Sequence, residues 1–386
     1  MSQAPEVRPA AAAPAASARP APRPAPSYEA VRAVQTGYVY DRAPMLIYWE
    51  LTRACDLACR HCRAEAVVDR DPDELSTPEA VGVLRQVLDF GAPLPHVVLT
   101  GGDPLKRPDL FDLLEEAAHL GIGVSLAPSG TTLLTREAIL RMREAGIQSM
   151  SLSLDGSSAA RHDAFRGVPG CFETTMRAAG WAIEAGIPLQ INTLVTGETA
   201  ADLPAVYALL TGMRIERWSL FFLIAVGRGV ALRELAPEAA ERLMGWLYDL
   251  MGSAPFAIKT TEAPSFRRVA LQKMRAAGWD GERIRRSGIG RGFGIRDGNG
   301  ILFISRTGEV TPSGFLPLAA GNVRRTPLAH LYRSSALFTS LRDPSRFQDR
   351  CGRCEYRMIC GGSRARAFAH TGNVLASDPL CPYVPT

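Results

Sequence analysis

The sequence predicts an α/β fold, namely a partial (β/α)6 TIM barrel followed by a small cysteine-rich domain. From about residue 45 to residue 230, short β-rich runs alternate with amphipathic helical stretches, which is typical of repeated βα units. Polar or glycine-rich motifs follow these runs, and barrels of this kind carry their functional residues at the C-terminal ends of the strands. In addition, most of the eight cysteines fall into two groups near opposite ends of the chain.

Six runs account for the predicted strands of the barrel: Met45–Leu51, His96–Thr100, Gly123–Ala127, Ser149–Leu154, Leu189–Val195 and Trp218–Ile224. Helix signals lie between them. The run Thr77-Pro78-Glu79 places a capping hydroxyl before a proline at the first helical position, and Pro108-Asp109 repeats this start. Ala145-Gly146 and Ala185-Gly186 are typical helix ends, because glycine adopts the left-handed conformation that terminates a helix.

The composition excludes several classes of protein. With 386 residues and 46% apolar content, the chain can form one large domain and a smaller one. The net charge of +5 is small and no basic run is clustered, so we expect no nucleic-acid partner. No stretch approaches eighteen uninterrupted apolar residues, so we expect no membrane span and no membrane partner.

Residues 1–40 are rich in alanine and proline and predict a disordered tail. The tail lacks the continuous apolar segment of a secretory signal peptide, although its arginines would also suit an organelle address. Without a signal peptide, closely spaced cysteines favour metal ligation in a reducing cytoplasm over disulfide formation. We therefore expect a cytoplasmic location.

The first predicted strand leads into Cys55, Cys59 and Cys62, spaced C-x3-C-x2-C. Three thiolates on one short loop can hold three corners of a cubane iron–sulfur cluster, which leaves the fourth iron open to a small molecule. A zinc site with His61 as an additional ligand is an alternative, but structural zinc sites usually take four ligands in two pairs.

This spacing resembles that of the radical S-adenosylmethionine (SAM) superfamily. The resemblance implies an enzyme in which a 4Fe–4S cluster with an open iron site binds SAM and cleaves it to a 5′-deoxyadenosyl radical. It implies that Cys55, Cys59 and Cys62 are the catalytic cluster ligands, that His61 lies near the adenine, and that a reductant such as flavodoxin or ferredoxin supplies the electron.

The second predicted strand ends in Gly101, Gly102 and Asp103. Two glycines allow close approach of the backbone to a ligand, although this run alone would indicate only a turn. It resembles the Gly-Gly-Glu motif of the superfamily, with Asp103 in place of glutamate. The resemblance implies that this backbone approaches the SAM amino group.

The later strands end in further candidate SAM contacts, namely Ser129, Ser153, Asp155, Asn192 and Arg228. Alternation places Ser153 and Asp155 on one face, and the resemblance implies contacts with the ribose and carboxylate of SAM. A polar strand end is the alternative. Asn192 lies in an apolar run and needs hydrogen-bond partners, which the SAM sugar would supply. Arg228 suits a carboxylate of SAM or substrate, or it is an ordinary surface arginine.

The C-terminal cysteines Cys351, Cys354, Cys360 and Cys381 have the spacing C-x2-C-x5-C-x20-C. Four thiolates suit either a closed cubane cluster or a zinc ion. The region resembles the SPASM domain of radical SAM enzymes, which carries auxiliary iron–sulfur clusters.

Two cysteines of the SPASM pattern are absent, because Ser313 follows Pro312 and Ser363 follows the glycines after Cys360. The resemblance therefore implies one auxiliary 4Fe–4S cluster instead of two. The predicted domains are the tail at 1–40, the radical SAM barrel at 41–232, a helical connector or barrel extension at 233–300, and the auxiliary-cluster domain at 301–386.

The segments beginning at Trp49 and at Cys360 resemble the haem-biosynthetic branch of the superfamily. The resemblance implies a porphyrin-like small-molecule substrate whose propionate side chains are oxidatively decarboxylated. The alternatives are a maturase that modifies a ribosomally made peptide and a non-catalytic iron–sulfur redox protein. Four arginines are candidates for binding substrate carboxylates, unless the last two lie on a solvated helix face: Arg267, Arg268, Arg364 and Arg366.

Overall fold

Alternating strands and helices build one continuous, mainly parallel sheet in the computed structural model, which describes residues 39–292 and 294–385. Nearly all of the predicted disordered tail lies outside the described residues. The strands are β1 Leu46–Glu50, β2 His96–Thr100, β3 Val124–Leu126, β4 Ser149–Ser153, β5 Leu189–Val195, β6 Arg217–Phe222, β7 Ala257–Thr261, β8 Ile301–Ile304, β9 Glu309–Thr311 and β10 Gly321–Asn322.

Helices connect the parallel strands and cover the outer face of the sheet. In the barrel they are α1 Thr77–Val87, α2 Leu110–His119, α3 Arg136–Glu144, α4 Ala159–Arg166, α5 Cys171–Glu184, α6 Leu203–Thr211 and α7 Pro237–Leu250. They continue as α8 Phe266–Ala276, α9 Gly281–Arg286, α10 Gly288–Arg291, α11 Leu328–Ser334, α12 Ala336–Arg342, α13 Asp349–Arg353 and α14 Arg364–Thr371.

The sheet confirms the predicted α/β class and extends it. The strand order in the described residues is β10-β9-β8-β1-β2-β3-β4-β5-β6-β7, and β1 to β7 are parallel neighbours in chain order. All six predicted strands are present, with ends that differ by at most two residues. The prediction of six strands was incomplete, because β7 adds a seventh within the predicted connector.

The two faces of the sheet differ in chemistry. The outer face is apolar, and residues such as Trp49, Leu99 and Trp218 are almost completely buried against the helices. The inner face carries polar side chains such as His96, and the hydroxyls of Ser125 and Ser149 lie 2.6 Å apart there. The sequence alternation therefore separates a hydrophobic core from a polar barrel interior.

The sheet curls so that its first and sixth strands face each other across this interior. Burial raises the pKa of Tyr48 on β1 to about 12, while the positive charge of Arg217 on β6 opposes this shift. In a flat sheet, strands five positions apart would be separated by roughly 24 Å, too far for such an effect. The parallel strands therefore form a partial barrel.

The predicted helices are present, but the residues at which the first two begin differ from the predicted ones. The N-cap of α1 is Ser76 instead of Thr77, and Glu79 Oε2 accepts hydrogen bonds at 2.8 Å from both the backbone N–H and the hydroxyl of Ser76. The second predicted start lies two residues too early, because α2 begins at Leu110 instead of Pro108. The helix ends at Gly146 and Gly186 are confirmed, since both glycines have a positive φ just after a helix.

The C-terminal region joins the barrel through strand pairing. β8 lies parallel to β1, with Leu46 opposite Ile301, and β9 and β10 continue the sheet in antiparallel order. Arg306, just after β8, bonds Glu50 at the end of β1 and Asp71 beyond it. The strands β8 to β10, which precede the C-terminal cysteines in the chain, therefore extend the sheet that leads into the first cysteine loop.

None of the helices in the described part of the chain is long and apolar enough to span a bilayer.

Replacing Ser76 with alanine removes the side-chain half of the capping box at the start of α1, whereas the Ser76 amide can still donate to Glu79. We expect Ser76→Ala to lower the free energy of unfolding by about 1 kcal/mol, because the Glu79 amide in the first helical turn loses its side-chain acceptor. Urea denaturation followed by circular dichroism would measure this change. Ser76→Thr, which keeps the hydroxyl, should stay close to wild type, and equal loss in both variants would contradict the assigned cap.

Candidate functional site

The loop that carries the first three cysteines is closed at its base by backbone pairing. After β1, Ala54 forms a parallel bridge with Val67, and the amide of Cys55 donates to the Val67 carbonyl at 2.7 Å. The amide of Val67 donates to the Arg53 carbonyl at 3.2 Å. Cys55, Cys59 and Cys62 therefore lie on one short closed loop at the C-terminal edge of β1.

Each of the three thiols has a nearby hydrogen-bond donor. The amides of Leu57 and Ala66 donate to the sulfurs of Cys55 at 3.4 Å and Cys62 at 3.3 Å. Arg166 Nη1 lies 3.6 Å from the sulfur of Cys59. Donors of this kind stabilise thiolates and tune the clusters that they hold. The loop thus fits the three-cysteine cluster that its spacing predicts.

The glycine-rich motif supports this loop directly. The amides of Gly102 and Asp103 donate at 2.7 Å to the carbonyls of Thr52 and Ala54. A Cβ atom on Gly101 would lie 2.5 Å from the Thr52 carbonyl oxygen, and one on Gly102 would lie 2.5 Å from that of Ala54. Only glycine allows the end of β2 to approach the chain that leads into the cysteines.

The Asp103 carboxylate faces the end of β3 and is fully buried. It accepts hydrogen bonds from the Thr131 hydroxyl at 2.7 Å, the Leu105 amide at 3.1 Å and the Ser129 amide at 3.4 Å. Burial raises its pKa, and these hydrogen bonds oppose the shift. The Ser129 hydroxyl donates to the Gly102 carbonyl at 2.6 Å and lies 3.6 Å from the sulfur of Cys55. Asp103 and Ser129 therefore join the ends of β2 and β3 to the cysteine loop.

Asp155, just after β4, forms a buried ion pair with Arg166. Its Oδ2 lies 2.6 Å from Arg166 Nη2, and its Oδ1 accepts from the Leu194 amide at 2.7 Å. Burial alone would raise the pKa of Asp155, but the Arg166 guanidinium holds it below the usual value. The sequence reasoning missed Arg166, which lies at the end of α4 and gives no spacing signal.

His61 and Arg228, close to the cysteine loop, have buried nitrogen atoms without a hydrogen-bond partner among the described residues. The His61 ring stacks on Phe165 with centroids 5.2 Å apart, and burial lowers its pKa to about 4, so it is neutral. Arg228 donates from its amide to the Cys62 carbonyl at 3.1 Å and from Nη1 to the Ala66 carbonyl at 3.4 Å. His61 Nδ1 and Arg228 Nε and Nη2 are buried without a hydrogen-bond partner among the described residues. Such atoms fit a bound polar ligand with an anionic group, as SAM is.

The two remaining candidates lie on the inner face of adjacent strands. Ser153 on β4 is in register with Asn192 on β5, and both are half-buried. Asn192 Oδ1 accepts from Gln190 Nε2 at 2.7 Å. The structure therefore places all nine predicted SAM contacts around or just below the C-terminal edge of β1 to β6, and their contact with SAM remains a prediction.

The four C-terminal cysteines converge on one cavity, which they line together with Arg268, Tyr356 and Tyr383. The Gly362 amide donates to the sulfur of Cys360 at 3.4 Å. Arg364 Nη2 and Arg268 Nη2 each lie 3.7 Å from a sulfur, those of Cys351 and Cys381 respectively. Four thiols with such donors around one cavity fit a closed cluster.

Across residues 39–292 and 294–385, no group of three or more Cys, His, Asp or Glu side chains is placed to hold a single metal ion.

The serines at the two missing cysteine positions have local roles. Ser363 caps α14 by accepting from the Arg366 amide at 3.1 Å, and its hydroxyl donates to Glu262 at 2.7 Å. The Ser313 hydroxyl accepts from the Phe315 amide at 3.3 Å. Both serines are buried, so each hydroxyl replaces a thiol with a hydrogen-bonded structural contact.

Three of the four arginines proposed for substrate carboxylates are used elsewhere. Arg364 is fully buried and donates to the Val374 and Ala376 carbonyls at 3.0 and 2.7 Å. Arg366 is equally buried and donates to the Leu223 carbonyl at 3.0 Å. Arg268 pairs with Glu241 at 2.5 Å. The solvated helix face considered for Arg364 and Arg366 was therefore wrong.

Comparison with known proteins identifies relatives over most of the chain. A sequence model of the Radical SAM superfamily matches residues 49–210. An AdoMet-dependent heme synthase of Nitratidesulfovibrio vulgaris is 40% identical over 345 residues, which cover 88% of this chain and 92% of that protein. A PqqA peptide cyclase of Rhizobium meliloti is 28% identical over 342 residues, which cover 88% and 87%.

A solved structure has the same fold. Streptococcus suis SuiB bound to S-adenosylmethionine superimposes with a TM-score of 0.69 at 17% identity, covering 89% of this chain and 78% of that one. At this identity the likeness concerns the fold alone.

Replacing Gly102 with alanine should displace the cysteine loop, because the new Cβ meets the Ala54 carbonyl at 2.5 Å. After anaerobic reconstitution we expect Gly102→Ala to bind roughly half the wild-type iron, since only the C-terminal cysteines would remain able to hold a cluster. Iron and sulfide analysis measures this loss.

Gly180→Ala is the matched control, because a Cβ there meets no atom within 4 Å. It should keep the full iron content. Normal iron content in Gly102→Ala would show that the glycine is not needed to position the loop.

Proposed function

This chain belongs to the radical SAM superfamily, and we propose that it acts in its haem-biosynthetic branch, oxidatively decarboxylating the propionate side chains of a porphyrin. The observation that carries this proposal is the pair of cysteine sites, with three thiols in the β1 loop and four around a separate cavity. The 40% identity to a heme synthase spans both sites and supports the choice of branch.

The residues divide into two groups according to what they would hold. Cys55, Cys59 and Cys62 would hold a 4Fe–4S cluster with an open iron site, and Cys351, Cys354, Cys360 and Cys381 would hold one auxiliary 4Fe–4S cluster. When bound, the first cluster with SAM supplies a 5′-deoxyadenosyl radical that abstracts hydrogen, and the second supplies a one-electron acceptor.

Decarboxylation of a propionate explains why two sites are needed. Conversion of the side chain to a vinyl group breaks one C–H bond and the bond to the carboxyl carbon, and CO2 leaves. Formation of the vinyl group after loss of one hydrogen atom and CO2 releases one electron from the substrate, and an acceptor must take up this electron. A site whose four thiols leave no coordination position open for substrate suits electron transfer.

The residues near the first site would bind and orient SAM. The unused donors of Arg228 suit the carboxylate of SAM, and neutral His61 on Phe165 offers an aromatic surface near its adenine. In addition to their proposed contacts with SAM, Asp103, Ser129 and Asp155 would fix the cysteine loop through their polar atoms. For Asp155 this support passes through Arg166. We propose a reducing cytoplasm as the location and flavodoxin or ferredoxin as the electron donor.

A peptide-modifying activity is the second candidate. It is favoured by the 28% identity to a PqqA peptide cyclase. The identity to the heme synthase is higher over a similar length, which is why we place the porphyrin first. The heme synthase and the peptide cyclase are both enzymes, and the similarity of this chain to them argues against a non-catalytic redox protein.

The proposal is tested by anaerobic incubation of reconstituted enzyme with SAM, dithionite and iron-coproporphyrin III, followed by mass spectrometry. We expect loss of carboxyl carbon from the porphyrin together with formation of 5′-deoxyadenosine. Formation of 5′-deoxyadenosine with an unchanged porphyrin would reject the haem branch and direct the search to peptides.

Two cysteine variants test the division of labour between the sites. Cys59→Ala should abolish SAM cleavage, whereas Cys354→Ala should retain part of it and lose porphyrin turnover. Each variant should keep roughly half of the wild-type iron, because the other cysteine set is intact. Equal and complete loss of SAM cleavage in two folded variants would contradict separate roles.

A further inference from the structure

Three basic side chains form a cationic row on the inner wall of the barrel: Arg217 on β6, Lys259 on β7 and Arg267 at the start of α8. On β6 and β7, Trp218 and Ile258 are buried in the outer core, so the alternating Arg217 and Lys259 face the interior. The sequence reasoning proposed only Arg267 of the three.

Register and hydrogen bonds fix the position of this row. Lys259 lies opposite Ser219, and Arg217 opposite Gln190, whose Oε1 accepts from Arg217 Nη1 at 3.3 Å. Lys259 lies roughly 7 Å and Arg217 roughly 16 Å down their strands from the C-terminal edge, at about 3.3 Å per residue. The row therefore runs below the level at which the cysteine loop begins.

In the described part of the chain, none of the three members of the cationic row forms an ion pair. Arg267 Nη1 donates to the Ile295 carbonyl at 2.6 Å, and the Cys360 thiol lies within electrostatic reach of Arg267. Glu262, at the end of β7, is bonded to Ser363, and burial together with Asp297 raises its pKa well above the usual range. Neighbouring cations without an ion pair repel one another, and an anion bound between them would relieve that repulsion.

The row lies in a concave, solvent-accessible surface. The side chains of Arg217 and Lys259 are exposed and that of Arg267 is half-buried. Nevertheless, burial lowers the pKa of Lys259 to about 8, and Arg217 and Arg267 add to this shift. Tyr48, with a pKa raised by burial to about 12, and His96, whose pKa burial lowers, face the same space in neutral form.

We propose that the cationic row binds a carboxylate of the substrate that does not itself react. This inference rests on the proposed function, because it assumes a substrate with more than one carboxylate. A carboxylate held below the edge of the barrel would leave a second carboxylate of the same molecule near the cysteine loop. Guanidinium and ammonium groups together suit such an anion.

The test is equilibrium binding of iron-coproporphyrin III to reconstituted full-length protein, measured by anaerobic absorbance titration. Lys259→Gln and Arg217→Gln should each weaken binding about tenfold or more, as expected for a lost charged hydrogen bond. Lys259→Arg keeps the charge and should bind within about threefold of wild type. Lys273→Gln, on the outer surface where Lys273 pairs with Asp249 at 2.7 Å, is the matched control and should not change binding.

The pH dependence adds a readout that a merely structural role would not produce. Lys259 carries its charge below a pKa of about 8, so wild-type binding should weaken as pH rises through and above that value. Lys259→Arg should retain its affinity over the same range.

The outcomes separate the two claims. If wild-type enzyme converts the porphyrin but both glutamine variants bind it as tightly as wild type does, the cationic row is not its carboxylate site. If the wild-type protein neither binds nor converts the porphyrin, the proposed function fails and this inference fails with it. If Lys259→Gln does not fold, the test compares the binding of the porphyrin and of its methyl ester to the wild-type protein. Equal binding of ester and acid would overturn the proposal.

Discussion

The buried ion pair between Asp155 and Arg166 is the contact on which the arrangement of the first site depends. Asp155 also accepts from the Leu194 amide, and Arg166 also reaches the sulfur of Cys59, so one pair joins β4, β5, α4 and the cysteine loop. An ion pair at this depth is stable only when its remaining hydrogen bonds are satisfied, and loss of either partner leaves a buried charge. The ion pair therefore fixes the position of the Cys59 thiol relative to β4 and β5.

The parts of this site that could be predicted from the sequence are those marked by a characteristic residue spacing or by a periodic alternation of apolar and polar residues. The first three cysteines, the glycines after β2 and the six strands follow from such patterns. The structure places these cysteines and glycines at the C-terminal edge of the sheet. Arg166 could not be predicted, because its role arises from the packing of α4. β7 was missed because Ala257–Thr261 is a short edge strand with one strongly buried residue, Ile258.

The burial of Arg364 and Arg366 could not be predicted from the sequence either. Arg364 and Arg366 have the appearance of a solvated helix face, yet both are fully buried because the loops around Cys351 and Asp378 present carbonyls and a carboxylate to them. Tertiary contacts decide whether a guanidinium serves the fold or a ligand. The guanidiniums of Arg364 and Arg366 therefore stabilise the fold around the C-terminal cysteines.

The pairing of β8 with β1 has a consequence for how the chain folds. β1 leads into the catalytic loop, but one of its two edges is covered only when Ile301–Ile304 arrives from far along the sequence. Pairing between such distant segments is slow to form, and until then an apolar strand presents open hydrogen-bonding groups. A nascent or shortened chain that ends before β8 thus exposes an aggregation-prone edge. Assembly of the radical site therefore depends on completion of the C-terminal half.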